Sequence, residues 1–338
     1  MVRFNEECKI DIYFDDHYGK LYERFDRGIA ETFYYRSDHG IIKHHFIKRA
    51  IPVTIGGETY YDLVTPYGYG GPVIVDCDEE MKSKLIIQFY DSFSEYCRDN
   101  KIVSEFVRFH PIINNAADFG SLYNAVNIRK TLGTNLKDYE DPIQSEFSQS
   151  CRKNIRKALN KGVTFEVVQR PEHLREFKNI YYSTMDRNQA SDYYYFDDQY
   201  FDDILSRFRE NVVVVKANLE GNVIAQGLYF AYGKYIHIHL SGTLDEYLHL
   251  SPAYVLRYAI ALWGKENGFE LIHHGGGRSN SEEDGLYRFK KGFAMRTQFD
   301  FYTGKKIWNK AIYDLLCETV GVDHSNDFFP AYRGRRGE

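Results

Sequence analysis

The sequence predicts a mixed α/β protein built from two copies of one α/β unit. In the second half, an antiparallel meander of strands leads into a helix, then a strand, and then a glycine-bearing loop. The first half has a similar order of strands, a Gly/Pro loop, a helix and a strand, which indicates a weak internal repeat. A chain of 338 residues also exceeds one average domain and suits two packed ones.

The first copy starts with strands and passes through a glycine-rich loop into a helix. Residues 31–64 are expected to form strands, and the loop PYGYGGP at 66–72 allows close approach of the backbone. Residues 79–98 are expected to be helical, and a strand follows at 103–109. The apolar residues that recur at helical spacing are Leu85, Phe89, Phe93 and Tyr96.

The second copy starts near residue 145 with a short basic helix, CRKNIRKALNK. Ser150 is its expected N-cap, and Gly162 is well placed to end it. A strand is expected at 163–168, followed by mostly helical structure with a tyrosine-rich break over 172–209. Three antiparallel strands are then expected between residues 211 and 243.

The last part of this copy carries the glycine-bearing loop. A helix is expected to begin at Ser251-Pro252 and to stop at Gly268, because Ser is a good N-cap and Pro a good first-turn residue. The strand ELIHH leads into the three consecutive glycines 275–277, and a helix is expected over 284–292. An amphipathic helix near the C-terminus is expected to place Trp308, Ile312, Leu315 and Leu316 on one side.

Composition and charge exclude several classes of protein. The net charge of −5 offers no bulk attraction to nucleic acid. The five cysteines are odd in number and include no CxxC, which argues against a disulfide framework and a zinc ribbon. No stretch approaches 18 apolar residues, and the N-terminus lacks the apolar region of a signal peptide. The chain is therefore expected to be cytoplasmic, with no membrane span.

Motif patterns exclude further chemistries. The HGGG segment at 274–277 could build an oxyanion hole, but no GxSxG nucleophile elbow is present. The sequence has neither a P-loop nor a GxGxxG fingerprint after its first strand. His237 and His239 fall at i, i+2 on a strand, yet no third ligand at a recognisable spacing and no HExxH accompany them, so no metal site is predicted.

Two positively charged features remain as candidate sites. Phe289 and Lys290 follow the glycine loop on a helix, where a lysine beside aromatic rings could hold a developing oxyanion or a diphosphate. The basic helix near residue 152 could contact a phosphate or a tRNA acceptor end, although such a face is more often merely solvated. The basic residues of this helix are Arg152, Lys153, Arg156, Lys157 and Lys161.

Taken together, several segments resemble the Fem family of peptidoglycan-bridge aminoacyltransferases and their acyl-CoA-using relatives. Each segment alone is weak, whereas their order and spacing are specific. They are PYGYGGP (66–72), EFVRFHP (105–111), CRKNIRKALNKG (151–162), TMDR (184–187), residues 194–196, the HIHLSGT strand, and the glycine loop with residues 286–293.

This resemblance implies two tandem GNAT-like domains packed side by side. Residues 1–145 and about 301–338 would form the first domain, on the acceptor side. Residues 146–300 would form the second domain, on the donor and catalytic side. A long coiled-coil insertion, which the bridge-forming members often carry in the second domain, is missing from this sequence.

The resemblance also implies the reaction, in which an amine attacks an acyl donor directly, with no covalent enzyme intermediate. The expected donor is acyl-CoA and the expected acceptor is a nucleotide-linked amino sugar or muropeptide precursor. Aminoacyl-tRNA is the alternative donor, and an inactive ligand-binding module is the alternative from another class. The sequence does not define the oligomeric state.

The expected site residues follow from the matched segments and from the GNAT fold. The Q/RxxGxG/A signature for acetyl-CoA is absent before the helix at Ser251, where HLSPAY stands instead. Glu105 is a further candidate for the general base. The expected catalytic residues are Lys290, Asp186 and His239; the substrate-binding residues are Tyr67, Gly68, Tyr69, Arg108, Arg187, Tyr194 and Phe289; and the donor-binding residues are Ser251, Ala253, Tyr254, Gly275, Gly276 and Gly277.

Overall fold

A computed structural model describes residues 9–323 and 328–334, and Cys8 lies outside this range. The chain divides into two compact units, which we call the first unit (Met1–Ile128 with Asp300–Glu338) and the second unit (Arg129–Phe299). The sequence placed the first boundary near 145. In the structure this boundary falls earlier, because residues 132–135 pair with a strand of the second unit.

The described residues form twelve strands. They are β1 (Ile29–Ser37), β2 (Gly40–Ala50), β3 (Tyr61–Val64), β4 (Gly71–Cys77), β5 (Ile102–Arg108), β6 (Val126–Asn135), β7 (Thr164–Gln169), β8 (Val212–Leu219), β9 (Asn222–Tyr232), β10 (Tyr235–Thr243), β11 (Leu271–Gly275) and β12 (Gln298–Ile307).

The same residues form ten α-helices and several short 3-10 turns. The helices are α1 (Glu23–Asp26), α2 (Lys82–Asp99), α3 (Ala116–Phe119), α4 (Pro142–Glu146), α5 (Gln149–Asn160), α6 (Arg175–Arg187), α7 (Asp198–Phe208), α8 (Pro252–Glu266), α9 (Gly285–Lys291) and α10 (Lys310–Val320). Within the described ranges, none is long and apolar enough to cross a membrane.

The first unit is a mixed sheet covered by α2. Strand β2 pairs antiparallel with β1, β3 and β4, while β3 runs parallel to β5 and β5 runs antiparallel to β12. Helix α2 buries the stripe that the helical spacing predicted, with Leu85, Phe89 and Phe93 fully inaccessible to solvent. Burial of such side chains stabilises the unit by about 1.5–3 kcal/mol each.

The second unit repeats this plan with a longer meander. Strands β7 to β10 form successive antiparallel pairs, β10 pairs parallel with β11, and β11 pairs antiparallel with β6. Helix α8 packs across the meander, and its apolar side forms one core with residues of the strands and α5. The turn at Glu220-Gly221 has positive φ at both residues, as tight hairpins require.

Local details correct several expectations about element boundaries. The basic helix α5 is capped by Ser148, whose side chain accepts from the backbone N–H of Cys151, and not by Ser150. Ser251 does occupy the N-cap of α8 with Pro252 after it. However, Ser251 has φ of 57° and makes no capping side-chain bond. Strands β4, β6 and β12 were not predicted from the sequence.

Candidate functional site

The parallel pair β10 and β11 separates towards its C-terminal end. Their register runs from Tyr235–Leu271 to His237–His273, after which β10 continues to Thr243 while β11 ends at Gly275. Strand β10 also bulges against β9 between Ile238 and Leu240. Backbone groups that leave a sheet in this way become available to a ligand. The glycine loop and α9 follow directly after this point.

Lys290 lies on α9 and reaches back to the glycine loop. Its Nζ donates a hydrogen bond of 2.6 Å to the carbonyl oxygen of Gly276. The side chain of Asp284 caps α9 by accepting from the N–H of Tyr287 at 2.8 Å, which fixes the helix that carries the lysine. A neighbouring cation, Arg129, donates to the carbonyl oxygen of Gly277 at 2.9 Å. Two cationic side chains therefore hold the glycine loop.

The surroundings of Lys290 change its acidity. Burial lowers the pKa of Lys290 to about 7, and the charges of Arg257 and Arg129 push in the same direction while Asp284 opposes them. An amine that titrates near neutral pH can either accept or donate a proton under working conditions. Lys290 is thus suited to proton transfer or to stabilising an oxyanion.

His274, the first residue of the HGGG segment, is an interior residue and not part of an oxyanion hole. The Thr134 hydroxyl donates to the carbonyl oxygen of Phe293 at 2.7 Å, so its oxygen must accept from His274 Nε2 at 2.7 Å. The proton of His274 therefore resides on Nε2, and Nδ1 is a bare acceptor. Burial, together with the charges of Arg257 and Lys290, lowers the pKa of His274 well below its ordinary range.

The other two expected catalytic residues have different partners. Asp186 is exposed on α6 and accepts a hydrogen bond of 2.8 Å from the Tyr195 hydroxyl. His239 shares a hydrogen bond of 2.7 Å with the Tyr200 hydroxyl, and burial lowers the pKa of His239 to about 3. A base this weak takes a proton from an ammonium group poorly. Burial therefore makes His239 a poorer general base than Lys290, and the role of Asp186 stays a prediction.

The expected donor residues of the second unit occupy two places. Ser251, Ala253 and Tyr254 form the start of α8, where the N–H of Tyr254 bonds the carbonyl oxygen of Ser251 at 3.1 Å. The glycines 275–277 form the loop that Lys290 and Arg129 hold through its carbonyl oxygens. A Cβ on Gly277 would lie 2.7 Å from Asp284 Oδ1, so the loop packs tightly on the cap of α9.

Most of the expected substrate-binding residues of the second unit already contact other residues of that unit. Arg187 donates to the carbonyl oxygen of Thr243 at 3.0 Å and to Asp245, so its charge is already engaged. Tyr194 is 40% exposed. The Phe289 ring lies edge-on to that of Tyr254, with centroids 5.3 Å apart. Phe289 thereby connects α9 to the start of α8.

In the first unit, the three expected substrate-binding residues of the 66–72 loop contact one aromatic cluster. Gly68 has φ of +98°, and a Cβ there would lie 2.3 Å from the Tyr13 ring, so only glycine fits. The Tyr69 ring contacts Tyr13 edge-on at 5.3 Å, and the carbonyl oxygen of Tyr67 accepts from the Tyr18 hydroxyl at 3.0 Å. The sequence signal for this tight turn was the PYGYGGP segment itself.

Two other first-unit residues have structural roles. Arg108 donates to the carbonyl oxygen of Thr65 at 2.8 Å. Glu105, considered as a base, is completely buried between His44 Nε2 at 2.5 Å and Trp308 Nε1 at 3.1 Å. A carboxylate so enclosed has no route to a substrate amine, so Glu105 is a core residue and its candidacy was wrong.

Two residues of the second unit were not predicted. Arg257 on α8 and Tyr229 on β9 are both buried, and Arg257 influences the acidity of His274 and Lys290. Arg257 falls within an apolar run, PAYVLRYAIALW, and that break in an otherwise apolar helix was the available signal. Nothing in the sequence around Tyr229 distinguishes it from other tyrosines of the meander.

Comparison with known proteins identifies similar chains. Residues 145–291 match the family model for the acetyltransferase (GNAT) domain. The UDP-N-acetylmuramoylpentapeptide-lysine N(6)-alanyltransferase of Weissella viridescens is 21% identical in an alignment of 259 residues that covers 70% of this chain and 74% of that protein. The crystal structure of FemX matches with a TM-score of 0.69 at 15% identity, over 92% of this chain and 95% of FemX.

A further solved structure has the same fold. L-PGS from Bacillus licheniformis matches with a TM-score of 0.52 at 13% identity, covering 91% of this chain and 96% of that one. These matches confirm the predicted resemblance to Fem-type transferases of the GNAT fold, the mixed α/β class with GNAT-like units, and the assignment to the transferases.

Proposed function

Because the chain is similar to Fem-type transferases over most of its length, we propose that it transfers an acyl or aminoacyl group to an amine of a peptidoglycan precursor. The observation that carries this proposal is Lys290, an amine titrating near neutral pH on a helix that follows the separating strands β10 and β11. The similar alanyltransferase, as its name states, modifies a lysine of a UDP-N-acetylmuramoyl pentapeptide. We propose the same class of acceptor for this chain.

The reaction needs no covalent enzyme intermediate. The nitrogen lone pair of the acceptor amine attacks the donor carbonyl carbon, forming a C–N bond while the carbonyl π electrons move to oxygen. Collapse of this tetrahedral oxyanion re-forms the C=O bond and expels the thiolate or alkoxide of the donor. In its ammonium form, Lys290 stabilises the oxyanion and can protonate the leaving group; in its amine form it can accept the proton from the attacking nitrogen.

Acyl-CoA is the first candidate donor. The GNAT match spans residues 145–291, which include β10, β11 and the start of α8. The positive end of a long helix suits a pyrophosphate, and α8 begins after the meander and the short 3-10 turn Asp245–Leu250. Ser251, Ala253 and Tyr254 would then contact the phosphates of the donor.

Aminoacyl-tRNA is the second candidate donor, and a specific observation favours it. The basic residues Lys153, Arg156, Lys157 and Lys161 on and after α5 are exposed. A cationic helix face of this kind suits the phosphate backbone of a nucleic acid. The similar alanyltransferase also transfers an aminoacyl group.

The test is a product assay with both donors. The chain is incubated with UDP-N-acetylmuramoyl pentapeptide and either acetyl-CoA or alanyl-tRNA, and the acceptor mass is followed by mass spectrometry. We expect one donor to add its acyl mass, and Lys290→Met to lower the rate by about 100-fold or more. Lys291→Met, which removes the adjacent lysine, is the matched control and should keep the parent rate.

Two results would contradict the proposal. The first is the absence of an added mass with either donor. The second is equal rates in Lys290→Met and Lys291→Met, which would remove Lys290 from the reaction. To separate the donors further, a combined charge reversal at Arg156 and Lys157 should lower the rate with alanyl-tRNA and leave the rate with acetyl-CoA unchanged.

A further inference from the structure

The first unit contains an open cavity that is lined by none of the predicted site residues. Its volume is about 610 Å³, within the range of about 300–1,000 Å³ that is usual for small-molecule sites. The residues that line it come from the end of α1, the end of β2, the C-terminal half of α10 and the segment 328–333. All of them belong to the first unit.

Two arginines that line this cavity are fixed by one buried carboxylate. Asp62 is completely buried; its Oδ1 accepts from Arg49 Nε at 2.7 Å and its Oδ2 accepts from Arg333 Nε at 2.5 Å. The Nη2 group of Arg333 also donates to the carbonyl oxygen of Ala50 at 2.9 Å. Because both Nε groups bind the same carboxylate, the two guanidinium groups lie close together and are held in place without a ligand.

Both guanidinium groups keep N–H groups for a ligand. Within residues 9–323 and 328–334, Arg49 donates through Nε, and Arg333 donates through Nε and Nη2. The side chains of Arg49 and Arg333 are 15% and 19% exposed, so the remaining Nη groups are accessible from the cavity. A planar array of N–H donors matches the two oxygens of a carboxylate.

The charge balance of the cavity favours a ligand with a single negative charge. Arg49 and Arg333 share the one negative charge of Asp62, which leaves one positive charge in excess. Asp26 and Arg27 also line the cavity and contribute one charge of each sign. A monoanion would therefore neutralise the site, whereas a second negative charge on the ligand would be desolvated without a partner.

The rest of the lining is apolar. Ile51 and Leu316 are buried in the core of the unit, and Val53 and Val320 are half-buried beside them. The Phe328 side chain, which also lines the cavity, is 55% exposed. An apolar group that covers these side chains removes their surface from water, which favours binding. The lining therefore suits a ligand with an apolar part next to its anionic part.

We propose that this cavity binds a small monocarboxylate, with the carboxylate on Arg49 and Arg333 and an apolar group against Val320 and Phe328. Two kinds of molecule supply this chemistry. One is a carboxylic acid with an alkyl chain, and the other is the terminal carboxylate of a short peptide that ends in an apolar residue.

This site is separate from the predicted substrate-binding loop of the same unit. Arg49 and Ala50 pair with Asp62 and Tyr61 at the start of β3, whereas the loop at 66–72 follows the end of β3. The arginines of the cavity and the loop thus lie towards opposite ends of this strand. The proposed site concerns binding alone and does not rest on the proposed acyl transfer.

The experiment is isothermal titration calorimetry of the full chain with octanoate, N-acetyl-leucine, octanamide and acetate. Octanoate carries the negative charge on an alkyl chain, and N-acetyl-leucine carries it in the form of a peptide terminus. Octanamide lacks the charge and acetate lacks the apolar group, so each should bind at least about tenfold more weakly than the tighter of the first two probes. Binding of either of the first two supports the site, and the tighter one identifies the source.

Two variants test the residues with the tighter probe. Arg49→Lys keeps a positive charge beside Asp62 but loses the Nη groups, and should weaken binding by about tenfold. Val320→Asp places a carboxylate in the apolar lining and should weaken binding at least as much. The controls Arg98→Lys and Leu315→Asp make the same changes at exposed residues that do not line the cavity, and they should bind as the parent does. Because Arg49→Lys can retain the ion pair with Asp62, it keeps the test valid even if Val320→Asp does not fold.

The proposal is overturned by any of three results. The first is no heat of binding with either octanoate or N-acetyl-leucine, and the second is octanamide or acetate binding as tightly as the better of those two. The third is parent-like affinity in Arg49→Lys. None of these measurements depends on turnover, so a failed titration and a failed product assay are distinguishable.

Discussion

The two units of the molecule differ in how their buried cations are paired. In the first unit, buried carboxylates have matched partners: Glu105 lies between His44 and Trp308, while Asp62 accepts from Arg49 Nε at 2.7 Å and from Arg333 Nε at 2.5 Å. In the second unit the buried carboxylate of Glu146 is likewise satisfied, by the N–H of Arg296 at 2.9 Å and the Thr297 hydroxyl. Among the described residues, however, Arg257 has no carboxylate partner, and the Nζ of Lys290 bonds a backbone carbonyl.

Paired and unpaired buried charges have different effects on a protein. Complementary groups that satisfy each other hold their unit together, and breaking one pair costs several kcal/mol. A buried cation without a carboxylate lowers stability, and it is retained where it acts on a ligand or a reaction. We therefore expect substitutions in the matched polar core of the first unit to act mainly on stability, and substitutions of the cations of the second unit to act mainly on the proposed transfer.

The largest expected effect comes from breaking the matched core of the first unit. Glu105→Gln removes the charge between His44 and Trp308 and should lower the free energy of unfolding by about 3–5 kcal/mol, because both partners stay buried. Urea unfolding followed by circular dichroism measures this. Glu58→Gln, which alters an exposed ion pair, should cost about 0.5 kcal/mol. If Glu105→Gln lowered the free energy of unfolding less than Glu58→Gln does, the proposed role of Glu105 in holding the first unit together would be wrong.

The second carboxylate of the first unit should show a smaller loss. Asp62→Asn weakens the bonds from Arg49 and Arg333, and both arginine side chains are partly solvated. We expect a cost of about 2–3 kcal/mol in the same unfolding measurement. Asp314→Asn, which affects the exposed pair with Lys310, should stay near the parent. Equal values for the two variants would contradict the prediction.

Lys290 should make the stability of the second unit depend on pH. An unfolded lysine titrates near 10.4, whereas burial lowers the pKa of folded Lys290 to about 7. Between these values the unfolded chain binds more protons, so the free energy of unfolding rises with pH, by at most about 1.4 kcal/mol per pH unit. In Lys290→Met this rise should be lost, and in Lys291→Met it should persist. Unfolding curves between pH 7 and 10 measure the slope, and an unchanged slope in Lys290→Met rejects the prediction.

The smallest expected effect compares two buried tyrosines. Tyr332→Phe in the first unit loses hydroxyl bonds to Ser104 at 2.7 Å and Asp62 at 3.2 Å, and should cost about 1–2 kcal/mol. Tyr229→Phe in the second unit loses no bond within the described residues and should change stability by less than about 0.5 kcal/mol, or raise it. Thermal unfolding compares them. A greater loss in Tyr229→Phe would reverse the contrast.

Periodic apolar patterns made much of the fold predictable. The stripe of α2, the three strands of the meander and the helix from Pro252 were found because their burial repeats along the chain. Strand β6 escaped because its sequence, VNIRKTLGTN, is polar and contains a glycine, and its pairing with β11 is a long-range contact. Local sequence does not encode such pairing partners.

The site was predictable only in part, for a related reason. Lys290 could be singled out by its aromatic neighbour and by the glycines before it, and those features are adjacent in sequence. Its acidity depends on Arg257 and Arg129, which the fold brings together from α8 and β6. The bare acceptor on His274 depends on Thr134, which lies 140 residues away along the chain. Only the tertiary structure supplies such environments.

The discontinuous composition of the first unit has a consequence for how the protein is made. Strand β12 pairs with β5, and α10 packs its Leu316 with Val103, so the first unit needs residues from the end of the chain. The second unit, in contrast, is one uninterrupted stretch, Arg129–Phe299. During synthesis on the ribosome, the second unit can complete its core while the first still lacks its last strand and helix. The later-translated unit is thus the first that can finish folding, and premature termination near residue 300 would leave the earlier one incomplete.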